Sequence, residues 1–313
     1  MLVAVIPAFL SRPREPDQLS RCVAAVLAQP RVQRVVVVDD GSPLPIPALP
    51  PGAEVLRQLA NAGPAAARNR GVARALELGA KVILFTDVDC VPDPGWSDAM
   101  AAFLDSTDHV AAGGVTCALG ETLLDRYHDF AGSLNGRWIV PGHASLLYAN
   151  TCNMAVRAPA LARVRFDERF PGAAGEDFDF SHRLRALGTI GLATAAVVRH
   201  DFGYASTLRG LPAFARLFRR YGEADPLLWE KHPELRGVPS EACAAADVLA
   251  PCPPRDPAAY RRAATRRLRP RRLVPAVVVL KKVARWAFLR GQAAPRPWRA
   301  PAVTGLASPP PSR

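Results

Sequence analysis

Cysteine is scarce in this 313-residue sequence, and the six cysteines are widely separated, at positions 22, 90, 117, 152, 243 and 252. None forms a CxxC pair, and none lies in a tight cluster with histidine. This spacing argues against the usual zinc motifs and against a dense disulfide framework. Because free cysteines persist in reducing compartments, the sequence favours a cytoplasmic protein.

Long hydrophobic runs are also missing, although 49% of the residues are hydrophobic. A membrane-spanning helix needs about 18 to 20 consecutive apolar residues, and no uninterrupted run reaches that length. The apolar opening, Leu2 to Ile6, ends at Pro7 and has no basic residue before it. We therefore interpret it as a buried first strand and not as a signal peptide.

Excess positive charge is absent from most of the chain, despite a net charge of +12. Residues 1–254 contain 25 basic and 27 acidic side chains, whereas residues 255–313 contain 15 basic side chains and one acid. A nucleic-acid-binding protein concentrates Lys and Arg on its folded body. The sequence thus predicts no nucleic-acid partner, and it assigns the positive charge to a tail.

Apolar runs alternate with helical patterns over the first 90 residues, which is typical of a parallel sheet with crossover helices. The predicted strands are 2–6, 35–38, 53–57 and 82–85. The second is a run of four valines, apolar on both faces as expected of a central strand covered by helices. It ends at the polar segment 39–42, and ligands bind at the carboxyl edge of such sheets.

The pattern is less regular after residue 109. Further strands are predicted at 110–117, 149–156 and 190–198, and helices at about 121–134, 176–187 and 207–222. After the Pro-rich segment 251–254, the composition shifts to Arg and Pro. These changes predict three parts: an α/β domain over 1–205, a helical extension over 206–254 and a basic tail with an amphipathic helix over 255–313.

Two carboxylates follow the predicted strand 82–85, in the sequence Asp87-Val88-Asp89. Side chains two residues apart in extended chain point the same way, so Asp87 and Asp89 present their carboxylates together. Such a pair suits Mg²⁺ or Mn²⁺, which prefer oxygen ligands and often share phosphate oxygens. The alternative is a polar turn that ends the strand, because Asp is common in turns and prolines follow at 92 and 94.

Arg68 lies in the first turns of a predicted helix that begins at Pro64. A cation gains nothing from the positive end of the helix dipole, so another group must hold it there. A nucleotide base or phosphate is one candidate, and a salt bridge to Asp39 or Asp40 is the other.

A loop of small residues, 172–175, leads into Glu176 and Asp177 at the start of a predicted helix. The helix dipole stabilises acids at this position by roughly 0.3–1 kcal/mol, which is a sufficient structural explanation. Small residues also permit close approach of a ligand, and a carboxylate in a cleft can act as general base for a hydroxyl. Asp179 is predicted to pair with Arg183, which follows it by one helical turn.

His200 ends the last predicted strand and is followed by Asp201. A single histidine is more often a structural hydrogen-bonding group than a ligand. At a strand end, however, it could add a nitrogen to a carboxylate metal site.

Taken in order, these segments resemble the family 2 glycosyltransferases of the GT-A fold, over roughly residues 2–222. The order is more specific than any single motif, and the segments are Val3–Pro7, Val37–Ser42, Gly63–Gly71, Phe85–Asp89, Asn153–Arg157, Phe166–Glu168, Gly175–Asp177 and His200. Such enzymes transfer a sugar from a nucleoside diphosphate to a hydroxyl with inversion. The resemblance implies an α/β GT-A fold for the first domain, with a mostly parallel open sheet flanked by helices.

The resemblance also implies the roles of the donor-site residues. Pro7 and Asp39 would bind the donor, with Asp39 at the nucleobase and Arg68 beside it. Asp87 would lie by the ribose and metal. Asp89 would bind the Mn²⁺ or Mg²⁺ that bridges the diphosphate, and His200 would supply a further metal or diphosphate contact.

On the acceptor side, Asp177 matches the catalytic base of the family, and Glu176 would orient this base or bind acceptor hydroxyls. Residues 118–148 are expected to shape the acceptor site, with Tyr127, Trp138, His143 and Tyr148. Two other functions stay open: a nucleotidyltransferase on a similar sheet, and a non-catalytic nucleotide-binding protein associated with a membrane. A binding protein needs no base, so Glu176 and Asp177 favour an enzyme.

Some details narrow the resemblance. Cys90 stands where many relatives have another Asp, so the match supplies no third carboxylate ligand. The amino-acid sequence of segments 40–43, 63–69 and 89–96 also resembles that of actinobacterial transferases of the mycofactocin-associated type. Processive polysaccharide synthases carry a QxxRW segment and spanning helices, and neither occurs here, so a single transfer is expected. Arg219, Arg220 and Tyr221 on the last predicted helix could face the diphosphate, but a solvated basic edge is favoured, because charged helix faces usually lie in water.

The tail combines eleven Lys and Arg over residues 261–290 with the apolar stretch Leu273 to Leu280 and with Trp286, Phe288 and Leu289. Interfacial helices contain this mixture, and anionic lipid attracts their cations. The sequence thus predicts peripheral attachment to an anionic membrane surface, on the inner face. The alternative, a helix packed on the catalytic domain with its arginines in water, is equally compatible with the pattern.

Overall fold

The protein is described here by a computed structural model, which covers residues 1–135, 137–138, 145–170, 172–236 and 274–294. The strands in these ranges are β1 (Leu2–Ala8), β2 (Val32–Asp39), β3 (Ala53–Arg57), β4 (Val82–Thr86), β5 (Cys90–Pro92), β6 (Ala111–Ala118), β7 (Arg137–Trp138), β8 (Leu146–Tyr148), β9 (Asn153–Arg157) and β10 (Ile190–His200). The helices are α1 (Glu15–Leu27), α2 (Pro64–Glu77), α3 (Trp96–Asp105), α4 (Leu123–Ala131), α5 (Ala158–Leu161), α6 (Glu176–Leu184), α7 (Thr207–Lys231) and α8 (Val274–Gln292).

An open sheet of eight strands forms the core, in the order β3-β2-β1-β4-β9-β6-β10-β5. The pairs β3–β2, β2–β1, β1–β4 and β6–β10 are parallel, and the other three pairs are antiparallel. The predicted α/β fold with a mostly parallel open sheet is therefore confirmed. The antiparallel pairs all involve β9, which comes from the less regular part of the sequence, or the three-residue strand β5.

The valines of β2 show why the first strands are so apolar. All four, at positions 35–38, are fully buried. Val36 and Val38 pack with residues of α2 on one face, whereas Val35 and Val37 pack with residues of α1 on the other. Helices thus cover both faces of the sheet, as a buried parallel strand requires.

The predicted strand 149–156 is wrong in its first half. β8 ends at Tyr148, and β9 begins only at Asn153. Between them the chain turns, because the backbone N–H of Asn153 donates to the carbonyl of Asn150. Ala149 and Cys152 are nevertheless buried, so the apolar character of this run reflects a buried turn as well as a strand.

The helix predicted over 207–222 continues to Lys231 as α7. The helix passes through Gly222, and the absence of a side chain at this glycine lets α8 pack closely against α7. A Cβ at position 222 would clash with the carbonyl oxygen of Phe288, and a Cβ at Gly291 would clash with that of Arg219. The two helices thus approach each other closely, and the helix predicted in the basic tail packs against the predicted helical extension.

The division of the chain into three parts stays a prediction, because residues 237–273 and 295–313 lie outside the described ranges. Within those ranges, no helix combines the length and the hydropathy that a membrane span requires.

Candidate active site

A cavity of about 480 Å³ opens at the carboxyl ends of β1 and β4. Seven of the eight site residues predicted from the sequence line it: Pro7, Arg68, Asp87, Asp89, Glu176, Asp177 and His200. They come from strand ends and helix starts that are distant in the sequence. The fold therefore brings the predicted metal ligands and the predicted base to one shared cavity.

Asp39 is the exception, because it lies behind the cavity wall. Its side chain is 1% exposed and forms an ion pair with Arg57. It also accepts a hydrogen bond from the backbone N–H of Ser42, at 2.9 Å. The neighbouring Asp40 lines the cavity instead, so the contact of Asp39 with a nucleobase stays a prediction.

Asp40 was not predicted as a site residue, but in the structure its side chain binds the loop that precedes α2. Its carboxylate accepts hydrogen bonds from the backbone N–H groups of Ala62 and Gly63, at 2.8 and 2.9 Å. These bonds hold the loop that leads into α2. The signal in the sequence was the doubled Asp at the end of β2, which gave no indication of which carboxylate would face the cavity.

Arg68 joins the two sides of the cavity. Its guanidinium donates to Asp87 Oδ1 and to Glu176 Oε1, each at 2.9 Å, and the side chain is only 3% exposed. Of the two alternatives left open for Arg68, the salt bridge to Asp39 or Asp40 is not the one formed, because Arg68 pairs with Asp87 and Glu176 while Asp39 pairs with Arg57. Burial alone would lower the pKa of Arg68, but the carboxylates of Asp87 and Glu176 raise it above its ordinary value.

Glu176 and Asp177 are adjacent but differ in environment. Glu176 is buried and bound to Arg68, and its Oε2 has no hydrogen-bond partner among the described residues. Burial raises the pKa of Glu176, and the nearby charge of Arg68 opposes this effect. Asp177 is half-buried, lines the cavity and accepts a hydrogen bond from the backbone N–H of Phe178, at 2.8 Å.

Gly175 positions this acidic pair. Its φ of +84° is a left-handed backbone conformation that residues with a side chain rarely adopt. A Cβ at this position would also lie 2.8 Å from the Cβ of Ala224 in α7. The glycine thus allows the chain to turn sharply into α6 while α7 packs directly behind it.

A second set of potential ligands surrounds Asp89. The side chains of Asp89, Cys90 and His200 place one ligand atom each within 4.8 Å of one another. Strand pairing explains this proximity, because β10 runs antiparallel to β5 with His200 opposite Cys90. His200 Nε2 lies 3.4 Å from Asp89 Oδ1, and its Nδ1 is buried without a partner in the described residues.

The donor set at this point fits a hard divalent cation. Burial raises the pKa of Asp89, although 37% of its side chain is exposed to the cavity. Burial also raises the pKa of Cys90 well above its ordinary value, and a soft thiol suits Mg²⁺ or Mn²⁺ less well than oxygen ligands do. The carboxylate of Asp89 and the imidazole of His200 are therefore the groups suited to Mn²⁺ or Mg²⁺, with Asp87 adjacent.

The opposite wall of the cavity is apolar and aromatic. It includes Tyr148, whose ring stacks on that of Phe178 with 4.7 Å between centroids. Helices α7 and α8 complete this wall with Leu217, Tyr221, Leu228, Trp229 and Phe288.

The sequence anticipated this wall only in part. Tyr148 lines the cavity as expected, whereas Tyr127 packs between α4 and α7 against Phe214 and does not line it. His143 and the side chain of Trp138 lie outside the described residues. The expected basic edge is also revised, because Arg220 and Tyr221 both border the cavity, and Arg219 pairs with Glu223.

Comparison with known proteins agrees with this arrangement. A model of the family described as "Glycosyl transferase family 2" matches residues 3–167. The chain belongs to glycosyl transferase family 2. The family resemblance predicted from the sequence motifs is thus confirmed, and the match includes Pro7, Arg68, Asp87 and Asp89.

Two named relatives refine this assignment. The "Pre-mycofactocin glycosyltransferase" of Mycobacterium tuberculosis is 33% identical over 180 residues, which cover 54% of this chain and 37% of that protein. The "Succinoglycan biosynthesis protein ExoU" of Rhizobium meliloti is 28% identical over 226 residues, which cover 64% of this chain and 61% of the relative. The chain thus spans less than two thirds of the length of either relative. The predicted similarity to the mycofactocin type is confirmed.

A solved structure shares the fold. The crystal structure of GalNAc-T7 with UDP, GalNAc and Mn²⁺ matches with a TM-score of 0.51 and 14% identity, and covers 76% of this chain and 51% of that one. At this identity the likeness concerns the fold alone. It confirms the predicted GT-A architecture.

Proposed function

We propose that this chain transfers a sugar from a nucleoside diphosphate to an acceptor hydroxyl, with a divalent cation and with inversion at the anomeric carbon. The observation that carries the proposal is the shared cavity of Asp89 and Asp177. A metal ligand on one side and a carboxylate on the other are what a single displacement between donor and acceptor needs.

The donor would bind along the carboxyl ends of β1 and β4, where Pro7 and Asp87 line the cavity. Arg68 holds Asp87 through an ion pair and so orients its carboxylate toward the donor. Asp89 and His200 would hold Mn²⁺ or Mg²⁺, the former being the ion named with UDP for the related GalNAc-T7 structure. When bound, the cation neutralises the charge that develops on the leaving diphosphate.

The acceptor hydroxyl would approach from the side of α6. Asp177 accepts its proton as the oxygen attacks the anomeric carbon from the face opposite the diphosphate, which produces inversion. Glu176 is held by Arg68, and its role is to position the start of α6 and thereby Asp177. A nucleotidyltransferase would need no base at this point, and the names of the relatives favour sugar transfer.

The predicted location, a cytoplasmic chain attached to the inner face of a membrane, is a proposal separate from the sugar transfer. It is supported by the widely spaced cysteines of the sequence and by the basic tail. The identity of the sugar and of the acceptor is a matter for screening, with thermal stabilisation by nucleoside diphosphate sugars and Mn²⁺ as the readout.

Substitution of Asp177 by Asn tests the proposed base. We expect Asp177→Asn to bind the donor as the unmodified chain does, while transfer falls by about 10²-fold or more because no group accepts the acceptor proton. Binding is measured by calorimetry and transfer by release of the nucleoside diphosphate.

The matched control is Asp98→Asn, since Asp98 is an acid in the first turn of another helix and pairs with Arg31 on the surface. Unchanged turnover in Asp177→Asn would remove Asp177 from the mechanism. Retained donor binding without any transfer in the unmodified chain, across acceptors, would instead favour a binding protein.

A further inference from the structure

Helix α8 has two chemically different faces. Its inner face packs on α7, where Val277, Leu280, Ala284 and Phe288 are buried in one cluster with Phe214 and Phe218. The predicted packing of the tail helix on the body of the protein is thus correct for this face. Phe288, which the sequence pattern grouped with the membrane-facing residues, is only 1% exposed.

The outer face of α8 is exposed and largely apolar. Val278, Val279, Trp286 and Leu289 are 49%, 57%, 55% and 46% exposed. Nine large hydrophobic side chains are exposed within the described residues, and four of them are these. Their spacing places all four on one side of the helix, with Lys282 and Arg285 between the pair 278 and 279 and the pair 286 and 289.

Cations accompany these apolar side chains. Lys282, Arg285 and Arg290 are exposed on the same face, and Arg290 lies over the ring of Trp286, 4.6 Å from its centroid. The whole of α8 contains four basic residues and no acidic residue. The face therefore combines exposed valine, leucine and tryptophan with uncompensated positive charge.

We infer that the outer face of α8 docks on an anionic membrane surface. A helix that only covers the protein would present polar side chains to water at positions 278, 279 and 289. A nucleic acid would attract the cations but offer nothing to the valines and leucine. A lipid surface satisfies both, because the acyl boundary takes the apolar residues and the anionic headgroups take the cations.

The docked helix also borders the proposed active site. Phe288 of its inner face lines the cavity, and Gln292 Nε2 donates to Oδ2 of the cavity residue Asp225, at 2.7 Å. Docking would thus bring the apolar wall of the cavity close to the lipid surface. This consequence rests on the proposed function, whereas the docking itself does not.

The test is sedimentation of the full chain with vesicles of phosphatidylglycerol and phosphatidylcholine, compared with phosphatidylcholine alone. We expect binding only to the anionic vesicles. The substitutions Val279→Ser, Trp286→Ser and Leu289→Ser together should weaken it by about tenfold or more, since three apolar insertions are lost. Substitution of Lys282, Arg285 and Arg290 by Gln should also weaken it and reduce its dependence on salt.

The matched control replaces exposed hydrophobic residues elsewhere, Leu59→Ser and Leu208→Ser, and should bind like the unmodified chain. Circular dichroism and the melting temperature show whether each variant is folded. The proposal is overturned if the folded apolar variant binds as before, which would assign binding to charge elsewhere in the basic tail. It is also overturned if light scattering shows a dimer that the same substitutions dissociate. No step requires a sugar donor, so failure here is distinct from failure of the proposed transfer.

Discussion

The two walls of the cavity are built in different ways. The wall proposed to bind the donor, called the donor wall, consists of strand ends and a helix start whose polar groups contact one another, as in the ion pair of Arg68 with Asp87 and the contact of His200 with Asp89. The wall proposed to bind the acceptor, called the acceptor wall, consists mostly of helix surfaces, with apolar and aromatic side chains such as Phe178 and Trp229. Polar side chains held by ion pairs characterise the first wall, and the shape of an apolar surface characterises the second.

The family match does not follow this division between the walls. It ends at residue 167, so it includes Arg68, Asp87 and Asp89 of the polar wall and Tyr148 of the apolar wall, but not His200, Asp177 or helices α7 and α8. A wall that would hold a diphosphate and a cation requires particular polar groups. An apolar wall can be built from many side chains, so its sequence alone is harder to recognise.

The largest expected effect concerns the residue that joins the walls. Arg68→Met should destabilise the protein by about 3–5 kcal/mol, because it leaves the buried carboxylate of Glu176 and that of Asp87 without their cation. Urea unfolding measures the change. Adding Glu176→Leu should recover part of the loss, since it removes the uncompensated buried charge.

Arg34→Met is the control, because Arg34 is exposed on β2. If Arg68→Met lowers the free energy of unfolding by less than 1 kcal/mol, as is typical for loss of a surface ion pair, the two walls are held together by their apolar contacts alone.

A smaller effect is expected within the donor wall. Asp89→Asn should weaken the stabilisation of the protein by Mn²⁺ with a nucleoside diphosphate by about tenfold in apparent affinity, because a carboxylate ligand is replaced by a neutral amide. The melting temperature at increasing Mn²⁺ concentration measures it. His200→Asn should act in the same direction, and Asp98→Asn should have no effect. Equal affinity in Asp89→Asn would place the cation elsewhere.

The smallest effect concerns the support beneath the acceptor wall. Asp179 of α6 is fully buried and accepts hydrogen bonds from Arg183, and from His232 at 2.8 Å. The predicted pair with Arg183 is confirmed. Burial would raise the pKa of Asp179, but these partners and Lys231 lower it below its ordinary value of 3.8.

A lowered pKa means that the unfolded chain binds the proton more readily. The stabilisation from Asp179 is therefore complete above about pH 4 and is lost as the pH falls through the pKa of the folded state. We expect Asp179→Asn to flatten the acid side of the stability curve, measured by urea unfolding between neutral pH and pH 3. An unchanged slope would assign the acid sensitivity to other carboxylates, such as Asp167, whose pKa is also lowered.

Much of the fold could be predicted because its signals are local. The strand at 53–57 has the predicted bounds, and β1, β2 and β4 extend the predicted strands by a few residues. Continuous apolar runs identify buried parallel strands when turn residues bound them. The predictions failed where one local pattern had two possible causes. The apolar run 149–156 contains a buried turn as well as a strand. The helix predicted to stop at Gly222 continues, because this glycine permits close packing of α8 and does not end the helix.

The candidate site was predictable in its residue types and less so in its contacts. Strand ends and helix starts indicated six of the seven cavity residues, and the family resemblance added Pro7. The partners of Arg68 were not predictable, because a charge of either sign near a helix start is compatible with several opposite charges. Distance in three dimensions selected Asp87 and Glu176 among them.

The sequence by itself determined the first four strands, the sheet type and the carboxylates that follow β4, since each depends on the spacing of neighbouring residues, and the order of its motifs indicated the family. Only the tertiary structure decided that Asp40 and not Asp39 faces the cavity, and which side of α8 stays exposed. A helix pattern defines how residues are grouped around an axis but not which group meets a partner. That choice depends on the surface of α7, which lies far away in the sequence and comes close only when the chain folds.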